Sequence, residues 1–201
     1  MNLEMKSHSM TEIEMDKLPT RQKIIQVTLN LIADEGIHGL TTRTIAAAAG
    51  VNIAAVNYYF GSKDKLIEES LQSALDHMFS DSFDFLQNLD WKAALQNIML
   101  YFLEGSLRYP GIIKAILHEP INNNNYNTPA MQQFSRFICD TISKFEQSDE
   151  KQSDSIRITV LQMLGATFLP ALLPDFYKEI LGSSFRTDVD AQQKYIDSFF
   201  K

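Results

Sequence analysis

Between residues 41 and 66 the chain reads TTRTIAAAAGVNIAAVNYYFGSKDKL, and its few polar side chains are of types that grip phosphates and read base edges. Arg43 is the only charge from Thr41 to Ile53. It falls in the first turn of an expected helix, capped by Thr41 or Thr42. Lys63 follows directly on Ser62, the expected cap of another. A cation there opposes the helix dipole by about 0.3–1 kcal/mol. The same helix ends bind anions through their free N–H groups. Two cations so placed make sense if a phosphate backbone lies across both ends. Asp64 needs only the dipole to explain it. Between the two cations, a helix over 53–59 offers Asn52, Ile53, Ala54, Ala55, Asn57 and Tyr58 as its outward residues. Small side chains let a helix enter the major groove, alanine can touch a thymine methyl, and asparagine can pair bidentately with adenine. Asn52 is also placed to cap this helix. The hydroxyl of Tyr58 or Tyr59 can reach phosphate, with the other ring packed inward, and Phe60 belongs to the core. The candidate DNA contacts are therefore Thr42, Arg43, Asn52, Ile53, Ala54, Ala55, Asn57, Tyr58, Tyr59 and Lys63.

Two short helices must cross closely to hold these residues. Counted from Thr42, apolar or small residues fall at Ile45, Ala46, Ala49, Val51, Val56 and Tyr59, with Gly50 at the ninth place. Ala46 is small enough for the crossing, and Gly50 tolerates the positive φ of the turn. Ile45, Ala49, Val51 and Val56 bury the inner faces. This is the pattern of a helix-turn-helix.

From about Pro19 to Gln72 the chain resembles the N-terminal domain of TetR-family (tetracycline-repressor-like) transcriptional regulators. The resemblance is carried by Thr20-Arg21 with Ile24, Ile25 and Leu31, by Gly36 to Leu40, by Thr41-Thr42-Arg43, Ile45-Ala46 and Gly50-Val51, and by Tyr58-Tyr59-Phe60 with Ser62-Lys63. Such proteins usually carry Tyr where Asn57 stands and often His where Tyr59 stands. The resemblance implies an all-α fold: a three-helix helix-turn-helix domain followed by a helical ligand-binding and dimerisation domain. It divides the chain into a flexible extension (1–18), a DNA-binding domain (19–66) and an effector-binding and dimerisation domain (67–201).

The net charge of −7 at first argues against a nucleic-acid partner. Its distribution does not. Residues 20–66 hold five basic and three acidic side chains, so the acidic excess lies elsewhere and the motif is locally positive. Such a modest surplus implies few phosphate contacts per subunit and a need to dimerise. The single cysteine, Cys139, excludes an internal disulfide, suits a reducing cytosol and reads as a small buried hydrophobe. Residues 1–19 are polar and acidic, unlike a signal peptide. The apolar run from Ile158 to Pro174 reads as too short and too interrupted to span a bilayer. A cytoplasmic location without a membrane partner is expected.

Periodicity and breakers predict nine helices and no strands. The first runs over Thr20–Glu35, capped by Thr20 and stopped by Gly36. The fourth runs from Lys63 to about Leu89, the fifth from Asp90 to Tyr109, and a short sixth to His118. Pro120 and Asn122–Asn125 read as a polar loop. Further helices are expected from Pro129 to Gln147, Lys151 to Leu173, and Thr187 to the C-terminus. Val160, Leu164 and Thr167, with Val189, Ile196 and Phe199, repeat at helical spacing. The resemblance implies that such a helix pair forms a four-helix bundle with a second copy, setting two recognition helices one DNA turn apart on a pseudo-palindromic operator. Met99, Phe102, Leu103, Ile116, Phe134, Phe137, Met163 and Phe168 are numerous enough to line an effector pocket, with His118 beside Glu119 to orient a ligand. The acidic, Phe- and Met-rich surroundings suggest an apolar or cationic effector. No metal or cofactor is expected, and no nucleophile elbow, phosphate loop or paired carboxylates suggest an enzyme. The reading is a homodimeric, effector-released repressor. The alternative is a small-molecule-binding module or protein adaptor without operator binding.

Overall fold

The computed structural model describes residues 15, 17–83, 90–181 and 185–200, and every regular element among them is helical. The helices are α1 (Thr20–Glu35), α2 (Thr42–Ala49), α3 (Ile53–Phe60), α4 (Lys63–Phe83), α5 (Trp91–Arg108), α6 (Pro110–Asn123), α7 (Pro129–Ser148), α8 (Ser153–Leu172), α9 (Pro174–Leu181) and α10 (Val189–Asp197). Short 3-10 turns lie at Glu150–Gln152 and Ser198–Phe200.

The helices form two packed groups that share α4. In the first, α1 packs on α2 and α4 around Ile24, Val27, Ile32, Ile45, Val56 and Leu66, all buried. In the second, α5 is the central rod, packed on α8 and α10, while α7 closes over α4 and α8. Trp91, Leu95, Ile98, Met99, Phe102 and Leu103 are all buried along α5. α6 bridges the groups, packing against both α1 and α8.

Several expectations are corrected. Thr20 does not cap α1. Pro19 holds the cap position without a side-chain bond, and its ring leaves Thr20 as the first helical residue. The sixth helix does not stop at His118. It runs through Pro120 to Asn123, because the asparagines read as loop cap its end. Asn124 takes the left-handed conformation (φ 50), Asn122 Nδ2 donates to the His118 carbonyl at 2.9 Å, and Asn123 Nδ2 donates to Glu119 Oε1 at 2.9 Å. Cys139 is exposed, on the outer side of α7. The eight-residue α9 departs from the predicted pattern, since Pro174 reads as a breaker yet serves as a first-turn residue.

Residues 84–89, 1–14 and 16 lie outside the described set, so the far end of the fourth helix and most of the expected extension go with them. Met15, within that extension, is partly buried against the core. α8 has the length and apolarity to cross a bilayer, with a mean hydropathy of 1.4 over its best window, 44% of which is buried inside the fold. The expectation that this run is too short took its start at Ile158, whereas the helix begins at Ser153 and carries Pro170 internally. A helix apolar all round is one covered on more than one side.

Candidate nucleic-acid interface

Local bonding caps each helix of the helix-turn-helix. The Thr41 hydroxyl accepts from the Thr44 N–H at 3.1 Å, and the Thr44 hydroxyl accepts from the Thr41 N–H at 3.0 Å, a reciprocal cap on α2. Gly50 closes that helix at φ 66, ψ 32, and the next N–H, of Val51, reaches back to the Ala46 carbonyl at 3.0 Å. Asn52 caps α3, its Oδ1 accepting from the Ala55 N–H at 2.7 Å. Ser62 caps α4 by accepting from the Lys65 N–H at 3.2 Å. Ala46 and Ala49 are buried at the crossing, as the spacing requires.

The outer surface is built from the predicted residues. Arg43, Asn52, Ile53, Ala54, Asn57, Tyr58 and Tyr59 are exposed, while Thr42, Ala55 and Lys63 are half-buried. Asn52 spends its side-chain oxygen on the cap. Neither tyrosine packs inward. Tyr58 is 84% exposed and Tyr59 38%, and their rings meet edge to face at 5.2 Å. The inward place is taken by Phe60 instead, which is 4% exposed. Arg43 stands in the first turn of α2 and Lys63 in that of α4, one on either side of α3. Sequence reasoning gave Arg21 no role. Its guanidinium lies 5.2 Å from the Phe60 centroid and 2.5 Å from Glu69 Oε2, tying α1 to the ends of α3 and α4. Nothing in local spacing signals a contact between residues 48 apart.

The candidate effector residues divide. Phe79, Phe102, Phe134, Phe137 and Phe168 form one aromatic cluster, with Phe79 stacked on Phe137 at 4.1 Å and Phe134 5.6 Å from Phe168. Met99, Leu103 and Met163 are fully buried in solid packing. The space left between Ile116, Phe134, Phe168 and their neighbours Leu75, Met78, Ile113 and Leu117 is a cavity of about 20 Å³. That is room for one water at most. His118 does not line it. It faces the other way, toward the loop after α1, and meets His38 edge to face at 5.0 Å.

The dimer candidates divide too. Val160, Thr167 and Ile196 are completely buried within the subunit, Leu164 is partly buried, and only Val189 and Phe199 are exposed. The stripe read from α8 is thus its inward face, packed on α5, whose Ser106 hydroxyl donates to the Thr167 carbonyl at 2.9 Å. A second stripe on the same helix, Ile158, Leu161, Leu169 and Leu173, points outward and continues into Phe176 and Ile180 of α9, all of them exposed.

Comparison with known proteins agrees with this geometry. Residues 24–70 match the family model described as bacterial regulatory proteins, tetR family. Over 89 residues the chain is 32% identical to the HTH-type transcriptional regulator BetI of Vibrio vulnificus, a match covering 44% of each chain. The chain thus spans less than half the length of that relative. A longer match, 24% identical over 176 residues, covers 82% of this chain and 83% of the probable HTH-type transcriptional regulator YttP of Bacillus subtilis. The fold is shared with a crystal structure of a transcriptional regulator from Saccharomonospora viridis in complex with choline, at a TM-score of 0.65 and 19% identity, covering 90% of this chain and 94% of that one. Residues 24–70 thus carry the DNA-binding domain of tetR-family bacterial regulatory proteins, and the helical half beyond them shares its fold with solved structures of such regulators.

Proposed function

We propose that this chain is a homodimeric transcriptional repressor that binds a pseudo-palindromic operator through α3 and is released by a small-molecule effector. One observation carries the DNA reading: α3, which exposes Ile53, Ala54, Asn57, Tyr58 and Tyr59, is flanked along the chain by two helices whose capped N-termini each bear a cation, Arg43 and Lys63. Each terminus offers free N–H groups and a positive dipole end to a phosphate, and the cation adds to both. A cytoplasmic site beside its DNA follows from this role.

The outward stripe of α8 and α9 supports dimerisation through a second copy of this chain. Large apolar side chains exposed in a continuous row mark an interaction surface. The aromatic cluster supports the effector reading. Its phenyl faces suit an apolar or cationic molecule, as the choline-bound neighbour illustrates. With only about 20 Å³ open, the effector must part Phe134 and Phe168 from Leu75 and Met78 to enter. That movement is transmitted along α4, whose first turn carries Lys63.

The test is selection from a random duplex library by the full chain at low salt. The expected product is a pseudo-palindrome with half-sites one helical turn, about 10 base pairs, or a multiple of it apart. No enrichment over a protein-free control would overturn operator binding and leave the effector module or adaptor reading.

A further inference from the structure

Two cavities, about 580 and 470 Å³, flank one contact between α6 and the helix-turn-helix unit. They share Ile37, His38, Ala115 and His118. Gly111, Ala115 and His118 fall on one face of α6, turned to the end of α1 and the loop after it. At Gly111 the approach is backbone to backbone. A Cβ there would lie 2.1 Å from the Ile32 carbonyl oxygen and 2.7 Å from that of Ala33. Seven residues on, about 10 Å along the helix, the two cavities open on either side and the imidazoles of His38 and His118 meet between them, their centroids 5.0 Å apart. The joint is a wedge, tight at Gly111 and held at its open end by two titratable rings.

Asn122 lies against one of them. Its Nδ2 donates to the main-chain oxygen of His118 at 2.9 Å and lies 3.1 Å from His118 Nδ1. A carbonyl only accepts, so the shared atom is the NH₂ group, and Nδ1 receives its other hydrogen. That contact needs a ring whose Nδ1 carries no proton. A proton added at Nδ1 ends that bond, and a further one on His38 sets two cations face to edge. On the α4 side the charged groups around the pair are Lys63, Asp64, Lys65 and Glu68, with Glu119 from α6. On the α1 side they are Asp34 and Glu35, with Lys114 from α6. Glu119 is occupied by the Asn123 and Asn125 amides, at 2.9 and 3.3 Å.

We propose that the His38–His118 contact is an acid-opened latch, closed while both imidazoles are neutral and released as pH falls through the histidine range. The pairing stabilises the closed joint above that range and ceases to do so below it. Its consequence for DNA rests on reading residues 20–60 as the operator-binding unit, but its existence does not.

Amide hydrogen exchange on the full chain without DNA, at pH 7.5 and 5.5 and corrected for intrinsic rates, tests it. Protection over 36–40 and 115–123 should fall roughly fourfold or more on acidification, the worth of like charges about 5 Å apart even under water-like screening. His118→Phe keeps a ring but cannot charge, and should show no such fall. His118→Lys should show the acid pattern already at pH 7.5. If His118→Phe does not fold, His38→Phe, on the exposed loop, serves the same arm. Equal wild-type protection at both pH values, or an equal fall in the phenylalanine variant, overturns the latch.

Discussion

A single cation at a helix N-terminus is the smallest unit to which the proposed DNA binding assigns a role. Arg43 and Lys63 each occupy a place that the helix dipole disfavours, and the two ion pairs seen among the described residues, Arg21–Glu69 and Arg157–Glu146, involve neither. Arg43→Ala and Lys63→Ala should each weaken operator binding. Each should also flatten its salt dependence, by about one unit of slope for every phosphate that a subunit no longer neutralises. Asn57→Ala should leave that slope alone and relax base preference at one operator position, costing about 1–3 kcal/mol there. Titrations at three salt concentrations against the selected operator decide it, and wild-type slopes in both cation variants would remove the phosphate assignment. A different residue bears on stability. Glu104 is half-buried on α5, and burial raises its carboxyl above the usual range, with Arg108 partly opposing. A raised pKa in the fold means that the protonated form is favoured there, so the penalty appears as pH rises through that pKa. Glu104→Gln should therefore raise Tm at pH 7, and the gain should vanish at acid pH where Glu104 is already neutral. Thermal melts at pH 7 and at pH 4 read the difference.

At the scale of elements, two glycines in helices show how differently the same residue is used. Gly111 lies where α6 meets the backbone of α1, and the nearest atoms are main-chain carbonyls that cannot rotate away. Gly105, inside α5, has nothing within 4 Å of where a Cβ would stand. Gly111→Ala should force the helices apart at a cost of about 1–3 kcal/mol, as overpacking does. Gly105→Ala should gain roughly 0.5–1 kcal/mol from helix propensity alone. Differential scanning calorimetry should place the two variants on opposite sides of the wild type. A Gly111→Ala protein as stable as its parent would mean that α6 is free to retreat, and the wedge would have no tight end. Element boundaries were legible from the sequence wherever a cap or a positive-φ glycine carried them: Thr41, Asn52, Ser62, Gly36 and Gly50 all act at predicted ends. They were misread where a breaker turned out to be tolerated. Pro120 sits inside α6 because the side chains beyond it take over the capping of its end.

At the scale of the whole molecule, the proposed dimer turns on which apolar face would meet a second copy. Leu161→Glu and Phe176→Glu, on the outward stripe, should yield folded monomers at micromolar concentration. Val160→Glu, one residue away but fully buried, should instead unfold the chain. Light scattering with far-ultraviolet circular dichroism separates the outcomes, and an outward variant that stays dimeric would move the interface elsewhere. The sequence by itself determined the helical class, the helix-turn-helix and its outward residues. Those features rest on periodicity and capping within some twenty residues, where neighbours along the chain are also neighbours in space. It did not determine which side of α8 faces in, because that helix is apolar all round and periodicity marks a face only when the other side is polar. Nor did it show that the phenyl cluster closes on itself, or that His118 turns away from it to meet His38. Those are decided by packing between residues tens of positions apart: α4, α5, α7 and α8 bring the phenyl rings together, and the packing of α6 on α1 brings His118 to His38.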